Sequence, residues 1–167
     1  MNLLYAPWRD CYTKKIRTSQ EDKGDVCIFC QHVEHPEKDE EHLVLGRYEH
    51  HYIVMNKYPY NAGHLLIIPY KHKSYLHELS LEVLAEQAQL VAYASKQLML
   101  ALKNEGFNIG MNMGKFSGAG IPEHLHAHIV PRWPGDTNFL LTVCDTKQIS
   151  IDMLTLYKHL SPFFEKE

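Results

Sequence analysis

The sequence predicts an α+β domain with a mainly antiparallel sheet, and two observations support this fold class. Several short segments show the hydrophobic patterns of strands, and one long segment carries apolar residues at helical spacing. The order along the chain is three strands, one long helix, two more strands and a final helix, which is typical of an α+β domain. At 167 residues, the chain can bury one core and is interpreted as a single domain, 1–167.

Five segments are predicted as strands. The first two surround a polar break at Glu49–His51, and the third is a continuous apolar run closed by Pro69. Between the second and third strands, residues 57–63 contain proline, asparagine and glycine, which is typical of a turn. The predicted strands are Leu43–Tyr48, Tyr52–Asn56, His64–Ile68, Asn108–Met113 and Leu125–Pro131.

The long helix is predicted over Leu81–Leu102, where apolar residues recur three and four positions apart. Ser80 is the expected N-cap, and Asn104–Gly106 is the expected stop. A shorter amphipathic helix is predicted within Ile149–Leu160. The charged segment Gln31–His42 is interpreted as a solvated excursion within the domain, before its first strand.

Composition and charge exclude several classes of protein. The net charge of −3 gives no basic face for nucleic acid, and no apolar run approaches the roughly 20 residues that span a bilayer. The beginning of the chain lacks the basic and apolar regions of a secretion signal. The four cysteines are too unevenly spread to form a disulfide framework. We therefore expect a cytoplasmic protein that binds neither nucleic acid nor membranes.

Three histidines, His124, His126 and His128, alternate with apolar residues where the last predicted strand begins. Alternation places their imidazoles on one face, about 6–7 Å apart between neighbours. Because three protonated rings would repel one another, at least some must be neutral, metal-bound or held by hydrogen bonds. A single histidine on a strand is usually only a polar face residue, but three at this spacing favour a nucleophile, base or metal ligand. By contrast, His50 and His51 are interpreted as structural or solvent-exposed.

The loop 114–120 leads into the histidine run and contains Gly114, Gly118 and Gly120. Glycines allow backbone N–H groups to approach an anion closely, although most glycine-containing loops are only turns. The position of this loop directly before the histidines favours a cradle for a phosphate group or an oxyanion.

Cys27 and Cys30 form a C-x-x-C motif, which is typical of a redox site or a zinc site. A redox site requires a helix that starts at the motif, and residues 31–36 are a poor helix, so this interpretation is disfavoured. A structural zinc site needs two further nitrogen or sulfur ligands, and two buried thiols without metal are the alternative. Spacing alone does not choose among the candidates, which are His32, His35, His72, His77 and one histidine of the run.

The residues 118–133, GAGIPEHLHAHIVPRW, resemble the signature of the histidine-triad (HIT) superfamily. More narrowly, they are similar to the bacterial branch related to diadenosine tetraphosphate phosphorylases and hydrolases. The block Gly63–Pro69 matches another family motif, and residues 4–9 and 135–139 extend the resemblance over most of 1–140.

The resemblance implies a five-stranded antiparallel sheet, usually in a homodimer formed through the long helix and strand edges. The domain would consist of a leader (1–25), a core (27–140) and a C-terminal helix (145–167). The implied chemistry is attack by His126 on the α-phosphate of an adenine nucleotide or dinucleoside polyphosphate. The resulting nucleotidyl-histidine is then transferred to water, or to phosphate in the phosphorylase branch.

The resemblance also implies roles for individual residues. His128 would be a second catalytic residue that orients the phosphate. Zinc-containing relatives use residues that correspond to Cys27, Cys30, His72 and His124, which implies one structural zinc ion per chain. The implied nucleotide-binding residues are Ile28 and Phe29 (base), Asn56 (ribose), His64, Asn112, Gly118, Gly120, His128 and Trp133 (a second stacking surface).

One departure from the family pattern concerns the phosphate acceptor. Many relatives carry a polar side chain in the loop before the first triad histidine, where this sequence has Gly120 and Ile121. Phosphate contacts would then come from backbone N–H groups, Ser117 or Lys115, and the final acceptor stays open between water and phosphate. A zinc-stabilised nucleotide-binding module without turnover is the third hypothesis, although the intact His126 favours catalysis.

Overall fold

The computed structural model describes residues 27–137, 143, 149 and 151–165. Five strands form one sheet in the spatial order β1-β2-β3-β5-β4, and every neighbouring pair is antiparallel. The strands are β1 Val44–Arg47, β2 His51–Met55, β3 Leu65–Pro69, β4 Gly106–Met111 and β5 Ala127–Arg132. The predicted α+β class and its five-stranded antiparallel sheet are confirmed. The predicted leader, Asn138 and Phe139 lie outside the described residues.

Within the described residues, four α-helices of four or more residues accompany the sheet, and none of them is long and apolar enough to cross a membrane. They are α1 Ile28–Glu34, α2 Asp39–His42, α3 Leu81–Leu102 and α4 Met153–Leu160. Short 3-10 turns occur at Pro36–Lys38, Leu76–Glu78 and Ser161–Phe163. The bounds of α3 agree with the sequence prediction, and α4 lies within the range predicted for the final helix.

Helix α3 covers one face of the sheet, against β2, β3 and β5. Its buried side chains recur at helical spacing because only one stripe of an amphipathic helix faces the core; they are Val83, Gln87, Leu90, Ala94 and Leu98. The helix ends at Lys103, whose φ of 53° is left-handed and whose N–H donates to the Met99 carbonyl. The predicted stop at Asn104–Gly106 is therefore displaced by one residue.

The opposite face of the sheet carries a cavity beside the histidine run. Val54 on β2 is registered with Leu66 on β3, which is registered with His128 on β5. Along β5, Ala127 and Ile129 are buried in the core, whereas His128 between them is only half-buried. This alternation turns His128 away from α3, because successive side chains of a strand point to opposite faces.

Two predictions about local structure are wrong. The segment Gln31–His42 is mostly exposed, as expected, but it is not an excursion without structure, because α1 ends and α2 folds there and His32 is buried. In particular, the residues after the cysteine pair form a helix despite their poor helical pattern, since the apolar side of α1 packs on the core. Strand β5 begins only at Ala127, so His124 and His126 lie in the segment that leads into it.

His51 is fully buried and not solvent-exposed, because Glu86 of α3 supplies its hydrogen-bond partner. The Glu86 carboxylate accepts from His51 Nδ1–H at 2.6 Å and from the backbone N–H groups of Glu49 and His50 at 2.9 Å each. Burial lowers the pKa of His51 and outweighs the opposing effect of Glu86, so the ring is a neutral donor. This arrangement fixes the turn between β1 and β2 on α3.

Candidate active site and metal centre

A cavity of about 620 Å³ lies on the face of the sheet opposite α3. Its walls come from α1, α2, the ends of the central strands, the loop before the triad and the start of α4. A volume of this size suits a nucleotide-sized ligand. Both His126 and His128 line it.

His126 is held in one tautomer by the backbone beside it. Its Nδ1 lies 2.8 Å from the His124 carbonyl oxygen, which can only accept, so Nδ1 carries the hydrogen and Nε2 carries the lone pair. Burial lowers the pKa of His126, against the effect of this hydrogen bond, because a charged imidazole loses its hydration there. A neutral, oriented imidazole with one free lone pair can act as a nucleophile.

A second histidine, His64, fixes the tautomer of His128. The backbone N–H of Tyr60 donates to His64 Nδ1 at 3.1 Å, so the hydrogen of a neutral His64 lies on Nε2. His64 Nε2–H then donates to His128 Nδ1 at 2.9 Å. A neutral His128 therefore carries its own hydrogen on Nε2 and can donate it in a hydrogen bond. We name His64 and His128 the hydrogen-bonded pair.

Cys27, Cys30, His72 and His124 come together beside α1, and their ligand atoms all lie within 4.8 Å of one another. Nδ1 of His124 is 3.4 Å from Cys27 Sγ and 3.7 Å from Cys30 Sγ, and Nδ1 of His72 is 3.3 Å from Cys30 Sγ. The bond lengths of tetrahedral zinc place a sulfur and a nitrogen ligand about 3.5 Å apart. The four residues therefore fit a zinc ion by both donor type and spacing.

A hydrogen bond at Nε2 of His124 orients the ring so that Nδ1 can bind a metal ion. Nε2–H donates to the Pro69 carbonyl at 2.8 Å, which leaves the lone pair on Nδ1, toward the cysteines. Burial lowers the pKa of His124 to about 4, so its imidazole is neutral at pH 7. Burial and the neighbouring Cys27 raise the pKa of Cys30 to about 11, and metal binding has to displace this proton.

Phe29 connects the metal centre to the cavity. Its ring lies edge-on to His124 at 5.5 Å and to His126 at 5.2 Å between ring centroids. Phe29 and Ile28, the residues predicted as walls for a base, both line the cavity and lie between the two cysteines. The turn at the start of α1 therefore supplies two candidate metal ligands and part of the cavity wall.

The remaining predicted nucleotide-binding residues are spread more widely. Asn56 and Gly120 line the cavity, whereas Asn112, Gly118 and Trp133 are not among its lining residues. Asn56 also organises the turn after β2, since its Oδ1 accepts from the Tyr58 N–H at 2.9 Å. Trp133 lies past the far end of β5, and its Nε1–H donates to the Leu102 carbonyl at 3.4 Å.

Sequence reasoning missed several residues of the cavity. His32 appeared only as one of several candidate zinc ligands, yet the structure places it at the wall, stacked on His42. The Tyr60 amide that orients His64 was also missed, although the turn chemistry of 57–63 indicated a tight loop there. Both contacts depend on how distant segments meet, which spacing along the chain does not reveal.

Comparisons with known proteins agree with this geometry. Residues 37–135 match the HIT domain model. The AP-4-A phosphorylase of Mycobacterium tuberculosis is 37% identical over 151 residues, which cover 87% of this chain and 75% of the relative. The adenosine 5'-monophosphoramidase of Saccharomyces cerevisiae is 30% identical over 107 residues, which cover 64% of this chain and 63% of the relative.

A solved structure leads to the same family. The zinc-bound histidine triad family protein from Mycobacterium smegmatis has a TM-score of 0.67 and 25% identity, and the match covers 83% of this chain and 92% of that protein. The family match spans more than half of the chain, and it includes the histidine run, of which His126 and His128 line the cavity. The protein therefore belongs to the HIT family.

Proposed function

We propose that this protein is a HIT-family enzyme that cleaves a dinucleoside polyphosphate or a related adenine nucleotide at the α-phosphate. The observation that carries the proposal is the fixed tautomer of His126, which leaves its Nε2 lone pair unused beside the cavity. The names of the relatives, an AP-4-A phosphorylase and an adenosine 5'-monophosphoramidase, support the same class of substrate.

In the first step, His126 Nε2 attacks the α-phosphorus. A nitrogen–phosphorus bond forms, and the bond from phosphorus to the bridging oxygen breaks with its electron pair leaving on the departing polyphosphate. His128 Nε2–H is suited to donate to an oxygen of the reacting phosphate, because His64 occupies its other nitrogen. In the second step, an acceptor oxygen attacks the same phosphorus and releases His126.

Other residues would hold the nucleotide. Ile28 and Phe29 would form the apolar wall for the base, and Asn56 would contact the ribose. Backbone N–H groups around Gly120 would contact the phosphate. Asn112, Gly118 and Trp133 stay predictions, and a nucleotide would reach them only beyond the cavity lining.

The zinc ion would be structural. Bound by Cys27, Cys30, His72 and His124, it would supply four coordination bonds that hold α1 against the segment before β5. Because all four positions are occupied by protein ligands, no open position would be left for substrate. Metal analysis of protein purified without chelator should find about one zinc per chain, and substantially less would contradict the proposed site.

Transfer of AMP to phosphate is the second candidate function, and the 37% identity to the M. tuberculosis phosphorylase favours it. Incubation with diadenosine tetraphosphate, with and without inorganic phosphate, separates the candidates. AMP and ATP as products would indicate water as acceptor, whereas ADP and ATP formed only with phosphate would indicate phosphorolysis. Nucleotide binding without turnover would contradict both and leave a binding module.

The nucleophile is tested by His126→Ala. We expect turnover to fall by at least about 10⁴-fold, since loss of the nucleophile removes the covalent route. Circular dichroism should show an intact fold. Residual activity within about tenfold of the wild type would contradict the assignment.

The proposed assembly is a homodimer. Strand β4 is at the edge of the sheet, its residues Asn108 and Ile109 are exposed, and Phe116 in the following loop is fully exposed. An edge strand with apolar neighbours can pair with a second copy. Light scattering should give twice the chain mass, and the mass of one chain would exclude the dimer. The cytoplasmic location stays a prediction.

A further inference from the structure

Two further histidines, His32 and His42, form a stacked pair at the cavity wall. Their ring centroids are 4.5 Å apart, their planes differ by 24°, and both residues line the cavity. His32 is only 8% exposed and lies edge-on to Phe29 at 6.3 Å. Since Phe29 also contacts His126, one aromatic ring separates His32 from the proposed nucleophile.

The hydrogen-bonding atoms of the stacked pair are unused by the protein. Nδ1 of His32 and Nδ1 of His42 are sealed from solvent and have no partner within residues 27–137 and the other described positions. No hydrogen bond involves either Nε2 atom in the same part of the chain, and neither Nε2 is sealed. Buried polar groups without partners are rare enough in folded proteins to require an explanation.

The sealed nitrogens also indicate where the hydrogens lie. Buried N–H groups without an acceptor are rarer in folded proteins than buried acceptor atoms that lack a donor. The sealed Nδ1 atoms therefore favour the tautomer that carries hydrogen on Nε2. In this tautomer, each ring has one N–H donor on the nitrogen that is not sealed.

Arg47 fixes the position of both rings. Its guanidinium forms two hydrogen bonds with the Asp39 carboxylate, at 2.9 and 2.6 Å, and Asp39 begins the short helix that ends at His42. Nη2 of Arg47, which makes one of these two bonds, also donates to the backbone carbonyl of His32. One side chain of β1 therefore ties together the two segments that carry the stacked pair. Such bidentate arginine pairs are geometrically specific.

We propose that His32 and His42 select the nucleobase, by donating hydrogen bonds to unsubstituted ring nitrogens of a purine whose faces lie against the apolar wall of Ile28 and Phe29. This inference rests on the proposed function, because it concerns the base of the same nucleotide. The apolar wall supplies affinity for any flat base, whereas two directed donors discriminate between bases by the acceptor atoms at the edge.

The test removes the acceptor atoms one at a time. Binding of AMP and of its 1-deaza, 3-deaza and 7-deaza analogues to the zinc-loaded wild-type protein is measured by calorimetry. At least one analogue should bind about tenfold more weakly than AMP, since a lost hydrogen bond leaves a donor unpaired. In His32→Leu or His42→Leu, that penalty should fall to less than about twofold, while AMP still binds.

A matched control and the other outcomes complete the test. His77→Leu replaces an exposed histidine outside the cavity lining and should keep the wild-type pattern. Equal binding of all four nucleotides to the wild type would overturn the inference alone, and so would a penalty that persists in both leucine variants. Failure of AMP to bind the wild type would overturn the proposed function as well. If the variants did not fold, equal binding of all four nucleotides to the wild type would still overturn the inference.

Discussion

Two pairs of histidines lie beside the same cavity and use their ring nitrogens differently. In the hydrogen-bonded pair, His64 Nε2 and His128 Nδ1 are 2.9 Å apart, and a backbone amide fixes the first ring. In the stacked pair, His32 and His42 are in ring contact at 4.5 Å without a hydrogen bond between them. The first pair uses three of its four ring nitrogens to define one tautomer, whereas no ring nitrogen of the second pair forms a hydrogen bond in the described part of the chain.

The difference shows how a histidine side chain can be positioned either for a reaction or for binding a ligand. A chain of hydrogen bonds fixes the tautomer of an imidazole and so determines which group it presents to a reacting phosphate. Stacking fixes the plane of the ring but leaves its edge for a ligand. Substitutions and metal removal should separate these two uses, and their expected effects range from a large loss of turnover to a small loss of stability.

Breaking the hydrogen-bonded pair should affect the chemical step most. In His64→Leu, His128 loses the donor that fixes its tautomer, so we expect kcat to fall by about 10²-fold, the lower range for a lost proton-transferring group. KM should change much less, because His64 is not among the cavity lining residues. Steady-state kinetics with diadenosine tetraphosphate measure both constants.

His64→Gln is the matched variant, because a glutamine amide can still donate toward His128 Nδ1. It should recover at least about tenfold of the lost kcat. Equal losses in the glutamine and leucine variants would mean that His64 only fills space behind His128.

Removal of the metal should destabilise α1, which carries His32 of the stacked pair, more than the strands β3 and β5 beside the hydrogen-bonded pair. Cys27 and Cys30, two of the four proposed zinc ligands, lie at the start of α1. After treatment with a chelator, we expect amide exchange in α1 to accelerate at least about tenfold, while β3 and β5 stay protected. Hydrogen-exchange mass spectrometry measures this, and equal acceleration in all three elements would contradict the local role.

Loss of the Arg47 contacts should weaken nucleotide binding without changing the chemical step. In Arg47→Gln, the helix carrying His42 and the carbonyl of His32 lose their common partner, and we expect AMP to bind about fivefold more weakly. The kcat should stay close to that of the wild type, because Arg47 does not line the cavity.

Arg132→Gln is the control for this prediction. Arg132 pairs with Asp136 through two hydrogen bonds of 2.6 and 2.9 Å, which is the same kind of contact away from the cavity. If both variants lost the same AMP affinity, the cause would be general destabilisation and not the loss of the Arg47 contacts.

The smallest effect concerns His51, a buried histidine that has a carboxylate partner. Burial alone would raise the pKa of Glu86, but hydrogen bonds from His51 and the backbone N–H groups outweigh it and lower the pKa below the ordinary value of 4.5. The contribution of the carboxylate is therefore complete above that value and is lost as the pH falls through the folded-state pKa. Glu86→Gln should reduce the free energy of unfolding by about 1 kcal/mol at pH 7.

Urea denaturation at several pH values checks this prediction. The difference between wild type and Glu86→Gln should shrink as the pH falls below 4.5. A difference that grows on acidification would contradict the sign and point to a role for neutral Glu86.

Much of the fold was predictable because its elements have strong local patterns. The long helix repeats one apolar stripe from Leu81 to Leu102, and the apolar run before Pro69 can only be a buried strand or a buried helix segment. The region 28–42 was not predictable in the same way. Its helices are short, and they are stabilised by burial of a few side chains such as Phe29, which propensity does not capture.

The same contrast holds for the candidate site. The alternation of the triad indicates chemistry from the sequence alone, because spacing within a short segment is a local property. The stacking of His32 on His42 depends instead on a turn between two short helices and on Arg47 from a later strand. Only the fold brings these residues together.

The order of residues in the segment 27–30 constrains how this protein can evolve. Two thiols at its ends and two apolar side chains between them share one helical turn, so neither set can change independently of the other. A lineage that lost the thiols would need new packing to keep Phe29 in place beside His126. Selection on nucleotide affinity would therefore preserve the proposed metal ligands, even though the zinc ion would take no part in the reaction.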